Sequence, residues 1–165
     1  MAIKFNNIDL TGKEVIVLGA GGTSKSIIFS LKQSGVKKIV LLNRTLQKAH
    51  ELQDDIVSTF SLDDSVQIIK NDSIIINTTP IGMVSEQCPV DLGLLHENQT
   101  LIDVIYTPFE TAFLKLGKKI GAKTMNGLDM FIYQALTSMD LWFGEDISKK
   151  VNFTQLNTYL KNKLC

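Results

Sequence analysis

Gly19, Gly21 and Gly22 stand between a β-branched run, Glu14 to Leu18, and a stretch with helical periodicity, Ser24 to Ser34. At such a junction one glycine permits a tight turn and the next lets the backbone come against a pyrophosphate. The helix start adds free N–H groups and a partial positive charge. Ser24 occupies the third place of the pattern and is small enough for close helix packing. Turns also need glycine, but the strand before and the helix after favour a dinucleotide loop. About 20 residues on, an Asp or Glu would accept from a ribose 2′-hydroxyl. This chain instead has Asn43-Arg44-Thr45, with Lys48 one turn later. An acid would repel a 2′-phosphate, whereas Arg44 and Lys48 can hold one through charge-assisted hydrogen bonds worth about 1.5–3 kcal/mol each. That favours NADP over NAD by roughly tenfold or more per contact.

Two further polar clusters follow buried-looking runs. Asn77-Thr78-Thr79-Pro80-Ile81-Gly82-Met83 ends the run that starts at Ser73, and Pro80 with Gly82 fixes a turn. It is either loop chemistry or a backbone approach to a nicotinamide ribose, with Asn77 and Thr78 as cofactor contacts. Tyr106, after Asp103-Val104-Ile105, is either a boundary tyrosine or a hydroxyl-bearing ring at the wet edge of a pocket. His50 falls on a solvated helix face and His96 in a polar loop, and Asp103 has no visible lysine partner. No catalytic residue is assigned. Cys88 and Cys165 stand apart, without metal-ligand spacing, so no metal site and no disulfide framework is expected.

These residues need elements to hold them. Glu14–Leu18, Lys38–Leu42, Ser73–Ile76, Thr100–Val104 and Ala122–Met125 read as strands. A sixth short strand fits near Val66–Ile68. The strands are near-continuous apolar runs, as expected of a parallel sheet covered on both faces. Between them, Ser24–Ser34 reads as a helix. A second helix is capped by Thr45 and carries Leu46, Ala49, Leu52, Ile56 and Phe60 at helical spacing. Helices are also expected over Thr111–Lys119, Leu128–Phe143 and Thr154–Leu164. The alternation predicts an α/β protein with a Rossmann-like, doubly wound parallel sheet of about six strands and C-terminal helices, binding ligands beyond the strands' carboxyl ends.

A chain of 165 residues suits one domain of ordinary size rather than two. Seventeen basic residues offset seventeen acidic ones, which removes the broad positive field needed for nucleic-acid or anionic-membrane binding. No apolar run approaches a membrane span and the first residues lack a signal-peptide pattern, so a cytoplasmic protein is expected.

Taken in order, GAGGTSK, NRTLQK, INTTPIGM, DVIYTPFETAFL and NGLDMFIYQA closely resemble the NADP-binding domain of the shikimate dehydrogenase family, over about residues 8–144. The resemblance implies that Gly19, Ala20, Gly21, Gly22 and Thr23, together with Asn43, Arg44, Thr45 and Lys48, hold the nucleotide. By the same resemblance Val104, Gly127 and Met130 lie at the nicotinamide, and Tyr106 and Gln134 face the substrate. Gln134 by itself reads as a polar residue on a solvated face. The implied reaction is reversible hydride transfer between NADPH and 3-dehydroshikimate, with an acid/base Lys and Asp pair from an N-terminal substrate domain that this sequence does not contain.

On that basis residues 1–127 form the NADP-binding domain, with 1–10 the remnant of a connecting helix. Residues 128–165 form helices that would pack on the substrate domain. Leu136, Met139, Phe143, Leu156 and Leu160 are then expected to expose apolar surface, which self-association would cover. The small-molecule substrate would be engaged only with a substrate domain, and the chain alone would be inactive. Two other readings stay open: a non-catalytic NADP-sensing or partner-binding module, and a fragment of a dehydrogenase acting on quinate.

Overall fold

A computed structural model describes residues 2–144 and 146–164, with Lys4 and Phe5 represented by their backbone; Cys165 lies outside the described residues. The chain runs α1 (Ala2–Phe5), β1 (Glu14–Leu18), α2 (Gly22–Gln33), β2 (Lys38–Asn43), α3 (Leu46–His50), β3 (Val57–Ser61), α4 (Ser65–Ile68) and β4 (Ile74–Asn77). It continues through β5 (Thr100–Asp103), α5 (Ala112–Lys119), β6 (Lys123–Met125), α6 (Leu128–Phe143), α7 (Ile147–Lys150) and α8 (Phe153–Leu164). The six strands form one sheet in the order β3-β2-β1-β4-β5-β6, and every pairing is parallel. This is the doubly wound arrangement that the alternating pattern predicts. Its order reverses between β1 and β4, where a crevice opens beyond the strand ends.

Side chains alternate across the sheet with a period of two. Val15, Val17, Ile39, Leu41 and Ile76 form one layer with Ile28 and Leu31 of α2. Ile16, Leu18, Val40, Leu42 and Ile75 form the other with Phe113 and Leu114 of α5. Each such side chain buried contributes roughly 1.5–3 kcal/mol, so both faces are tightly anchored. The register sets Leu18 beside Asn77 and Asn77 beside Asp103. The carboxyl ends of β1, β4 and β5 therefore finish in one row.

The expected helix through Phe60 is corrected: α3 ends at His50. The Asp54 carboxylate accepts from the Ile56 and Val57 amides at 3.1 Å each and pairs with Lys32, which turns the chain. Val57, Ser58 and Thr59 then extend along the free edge of β2. A strand at Val66–Ile68 is not formed either. Ser61 and Asp64 make a reciprocal capping box, and the helical turn α4 follows. The fourth strand includes Asn77 and starts at Ile74 rather than Ser73, and β5 stops at Asp103 rather than Val104.

Another correction concerns the C-terminal helices. Leu136 is buried and packs with Leu128 and Ile132 against Leu156 and Leu160 of α8. Met139 and Phe143 are exposed as expected, together with Leu141 and Trp142. Helix α6 also carries Met130 and Tyr133 onto the first sheet layer, so it belongs to both packing units. Asp129 in its first turn accepts from Asn6 Nδ2 at 2.7 Å and from Asn157, which ties α6 to the segments before β1 and after α7.

Candidate nucleotide cleft

The turn after β1 has two kinds of glycine. Gly19 has φ +98°, and a Cβ built there would lie 2.8 Å from Thr79 Cγ2 and 3.1 Å from Thr78 Oγ1. Its amide donates to Leu42 O at 2.8 Å. Glycine is required there for both conformation and close approach. Gly21 and Gly22 are the reverse case, since a Cβ at either would meet nothing within 4 Å. Their open side is where a ligand can come against the backbone. Gly21 caps α2 and offers no side-chain acceptor, so the first-turn amides are left for an anion. Beneath them Ser24 is buried, its hydroxyl donating to Gly21 O at 2.6 Å.

Asn43 links this turn to the basic segment. Its Oδ1 accepts from the Ala20 amide at 3.2 Å and its Nδ2 donates to Thr45 O at 2.7 Å. Arg44, Thr45 and Lys48 are exposed. Neither the Arg44 nor the Lys48 side chain has a hydrogen bond or ion pair among the described residues. Two unpartnered cations thus stand beside an open, anion-receptive turn.

The other half of the crevice is sealed. Thr78 donates to Leu18 O through its amide at 3.0 Å and its hydroxyl at 2.7 Å. Asn77 is wholly buried. Its Oδ1 accepts from the Thr79 amide and hydroxyl, and its Nδ2 donates to Ile81 O and Asp103 Oδ1. Asp103 is buried too, and burial pushes its carboxyl above the usual range against the pull of hydrogen bonds from Thr111, Ile105 and Asn77. Across the cleft, a Cβ at Gly127 would lie 1.9 Å from Val104 O. The Gly127 amide donates to Ile105 O at 3.0 Å, so the start of α6 is set directly against the end of β5. Tyr106 stacks on Phe131 of α6 with ring centres 4.6 Å apart.

An open cleft of about 1630 Å³ runs from α2 to α6. Of the residues expected at the site, it brings together Gly22, Thr23, Thr78, Val104, Tyr106, Gly127, Met130 and Gln134. Gly19, Ala20 and Gly21 form the turn at its rim, while Asn43, Arg44, Thr45 and Lys48 lie beyond it. Asn77 stands behind the wall rather than on it. The sequence reading missed Thr79, Met83, Val84 and Phe131, all of which line the cleft. The TPIGM turn was a usable signal for the first two. Among the described lining residues there is no lysine or arginine, and Asp9 is the one carboxylate. His50 bonds to Gln53 and Thr59, and neither it nor His96 lines the cleft. No group of three or more potential metal ligands occurs among the described residues. No helix there is long and apolar enough to cross a membrane.

The family model described as shikimate / quinate 5-dehydrogenase matches residues 2–86. The shikimate dehydrogenase (NADP(+)) of Bacillus cereus strain AH187 is 41% identical over 142 residues, covering 82% of this chain and 51% of that protein. A chorismate mutase/shikimate 5-dehydrogenase fusion protein from Clostridium acetobutylicum superposes with a TM-score of 0.88 at 28% identity, over 99% of this chain and 59% of that one. The shikimate 5-dehydrogenase of Thermus thermophilus, solved with NADP(H) and shikimate, superposes with a TM-score of 0.73 at 30% identity, over 87% of this chain and 54% of that one. The chain spans about half the length of the curated relatives it matches.

Proposed function

The chain belongs to the shikimate / quinate 5-dehydrogenase family, and from that membership we propose that it is the NADP-binding portion of a shikimate dehydrogenase, which interconverts 3-dehydroshikimate and shikimate with NADP(H). Relatives named as NADP(+)-dependent support the cofactor. The observation that carries the reading is the exposed pair Arg44 and Lys48, without partners among the described residues and tied through Asn43 to a glycine turn whose open side a Cβ would fill. That donor set fits a dinucleotide bearing a 2′-phosphate.

In this reading Gly21, Gly22, Thr23 and the first turn of α2 receive the pyrophosphate, with Gly19 and Ala20 shaping the turn. Arg44 and Lys48 grip the 2′-phosphate, Thr45 lies beside them, and Asn43 sets the distance between the two grips. Asn77 backs the wall on which Thr78, Val104, Gly127 and Met130 frame the nicotinamide end. Tyr106 and Gln134 present polar groups to the substrate beyond it. NADP(H), when bound, supplies the hydride. Proton transfer to and from the substrate hydroxyl needs a positioned acid/base, which the cleft's described walls do not offer as a lysine–aspartate pair.

Titration calorimetry with NADP(+) and NAD(+) tests the cofactor assignment. NADP(+) should bind at least about tenfold more tightly, and equal affinities would overturn it. The purified chain should form no NADPH from shikimate unless a polypeptide bearing the acid/base pair is added. Turnover by the chain alone would refute that part. Met139, Leu141, Trp142 and Phe143 leave apolar surface on α6 that another chain or a second copy would cover. Concentration-dependent mass in sedimentation would support this, and a constant monomer mass would count against it. We place the protein in the cytoplasm, in keeping with a soluble biosynthetic role.

A further inference from the structure

The Asp103 carboxylate ties together both loops at the nicotinamide end of the cleft. Its Oδ1 accepts from Asn77 Nδ2 and from the Ile105 amide at 3.1 Å each, and its Oδ2 accepts from the Thr111 hydroxyl at 2.7 Å. Asn77 passes the constraint on by accepting from the Thr79 amide at 3.0 Å and hydroxyl at 2.7 Å, and by donating to Ile81 O at 3.2 Å. One carboxylate therefore fixes the loop that carries Thr78 to Met83 and the loop that carries Val104 and Tyr106. It also fixes Thr111, the N-cap of α5.

Asp103 has no exposed surface and no cationic partner among the described residues. Burying a carboxylate without a counter-charge is costly. Packing alone would be served better by a neutral side chain. The carboxylate nevertheless does something that an amide cannot. Three donors converge on its two oxygens, whereas an asparagine would have one acceptor and would turn its NH₂ group either donor against donor at the Asn77 amide or toward the Thr111 hydroxyl, which would then have to accept and give up its own donation.

Resting on the NADP reading above, we propose that Asp103 is a positioning residue for the nicotinamide half of the cofactor, holding the two loops at the separation that half requires. The adenosine end is set by a different side chain. Asn43 holds it on the far side of β1 with no direct hydrogen bond to Asp103 or Asn77, and the two ends meet through Thr78, whose hydroxyl donates to Leu18 O and Gly19 O beneath the glycine turn. Walls displaced by about an ångström are enough to spoil such a site.

The test compares two ligands on the full chain: NADP(+) and adenosine 2′,5′-bisphosphate, which keeps the adenine and the 2′-phosphate but has no nicotinamide. Asp103→Asn should weaken NADP(+) about tenfold while changing the bisphosphate by less than about twofold. A purely structural role would lower the melting temperature and leave the ratio of the two affinities unchanged. That result, or equal losses on both ligands, overturns the proposal. Should Asp103→Asn fail to fold, Thr111→Val removes one donor and should show a smaller split in the same direction; no split there overturns it too. Thr111→Ser, which keeps the hydroxyl, should restore wild-type binding of both ligands. Wild-type protein that binds neither ligand sinks the NADP reading itself, a result distinct from wild-type binding of both with no split in the variants.

Discussion

The glycine turn with the basic segment beyond the cleft, and the sealed end of the cleft itself, are built on opposite physical plans. Beside β2, Arg44 and Lys48 stand in solvent, and Asn43 joins their segment to the glycine turn. Beside β4 and β5, Asn77 and Asp103 have no exposed surface, and a glycine approaches backbone more closely than any Cβ would allow. The first end suits recognition of charge, which works across water-exposed side chains and weakens with salt. The second suits recognition of shape, which requires walls that do not move. Substitutions at one end should therefore change affinity and leave stability intact, and at the other they should change both.

The largest contrast lies between two glycines. Gly127→Ala puts a Cβ 1.9 Å from Val104 O, a backbone atom that cannot swing aside. Overpacking costs about 1–3 kcal/mol where side chains can yield, so here it should exceed about 3 kcal/mol. For a domain of this size that lowers the melting temperature by about 6–12 °C or more, or prevents folding. Gly22→Ala meets open space and replaces a poor helix former with the best one. Thermal unfolding should show it as stable as wild type or slightly more so, with NADP(+) affinity reduced because the methyl occupies the pyrophosphate's approach. Comparable melting temperatures for the two variants would break the contrast.

Arg44→Ala comes next. Loss of one charge-assisted grip of about 1.5–3 kcal/mol corresponds to roughly tenfold to hundredfold weaker NADP(+) binding, with NAD(+) affinity and melting temperature unchanged. Raising the salt concentration should weaken NADP(+) binding to the wild type and do so less in the variant. Equal losses for NADP(+) and NAD(+) would remove the 2′-phosphate assignment.

The same division explains what the sequence could reveal. Glycine spacing, a missing acid and a following Arg and Lys are local signals, and the structure sets those residues side by side, with exposed Arg44 and Lys48 joined through Asn43 to the glycine turn. The sheet was equally legible, because both of its faces bury unbroken apolar runs. Asn77 and Asp103 were visible as residues but not as a network, since their partnership depends on a register that sets β4 beside β5. A strand end placed one residue early left Asn77 in the loop instead of inside the sheet. The helix expected through Phe60 failed for a related reason. Its apolar spacing was real, but an Asp54 turn and the unfilled edge of β2 outweighed the pattern. Helix-like spacing in Leu156 and Leu160 showed an apolar face without showing that α6 would cover it.

The smallest expected effect sets the sealed end against a surface carboxylate at the opposite, amino-terminal edge of the sheet, because the two are shifted in opposite directions. Beside β3, a hydrogen bond from Lys32 leads the causes that hold Asp54 below the usual 3.8. The folded state then keeps the anion where the unfolded chain would take up a proton. Its contribution is full above about 3.8 and is lost as pH falls through the lowered value. Asp103 is raised by burial, so folding favours its protonated form. Its contribution is present below 3.8 and is lost as pH rises through the raised value. Melting temperature measured against pH, as wild type minus variant, should separate them. For Asp54→Asn the difference should shrink on acidification below about 3.8, and only modestly, because the pair is partly exposed and screened. For Asp103→Asn the difference should move in favour of the wild type as pH falls toward 3.8 from above. Two difference curves with the same slope against pH would mean that the Asp103 carboxylate is held by charge as Asp54 is, and the sealed end would no longer be one built on burial.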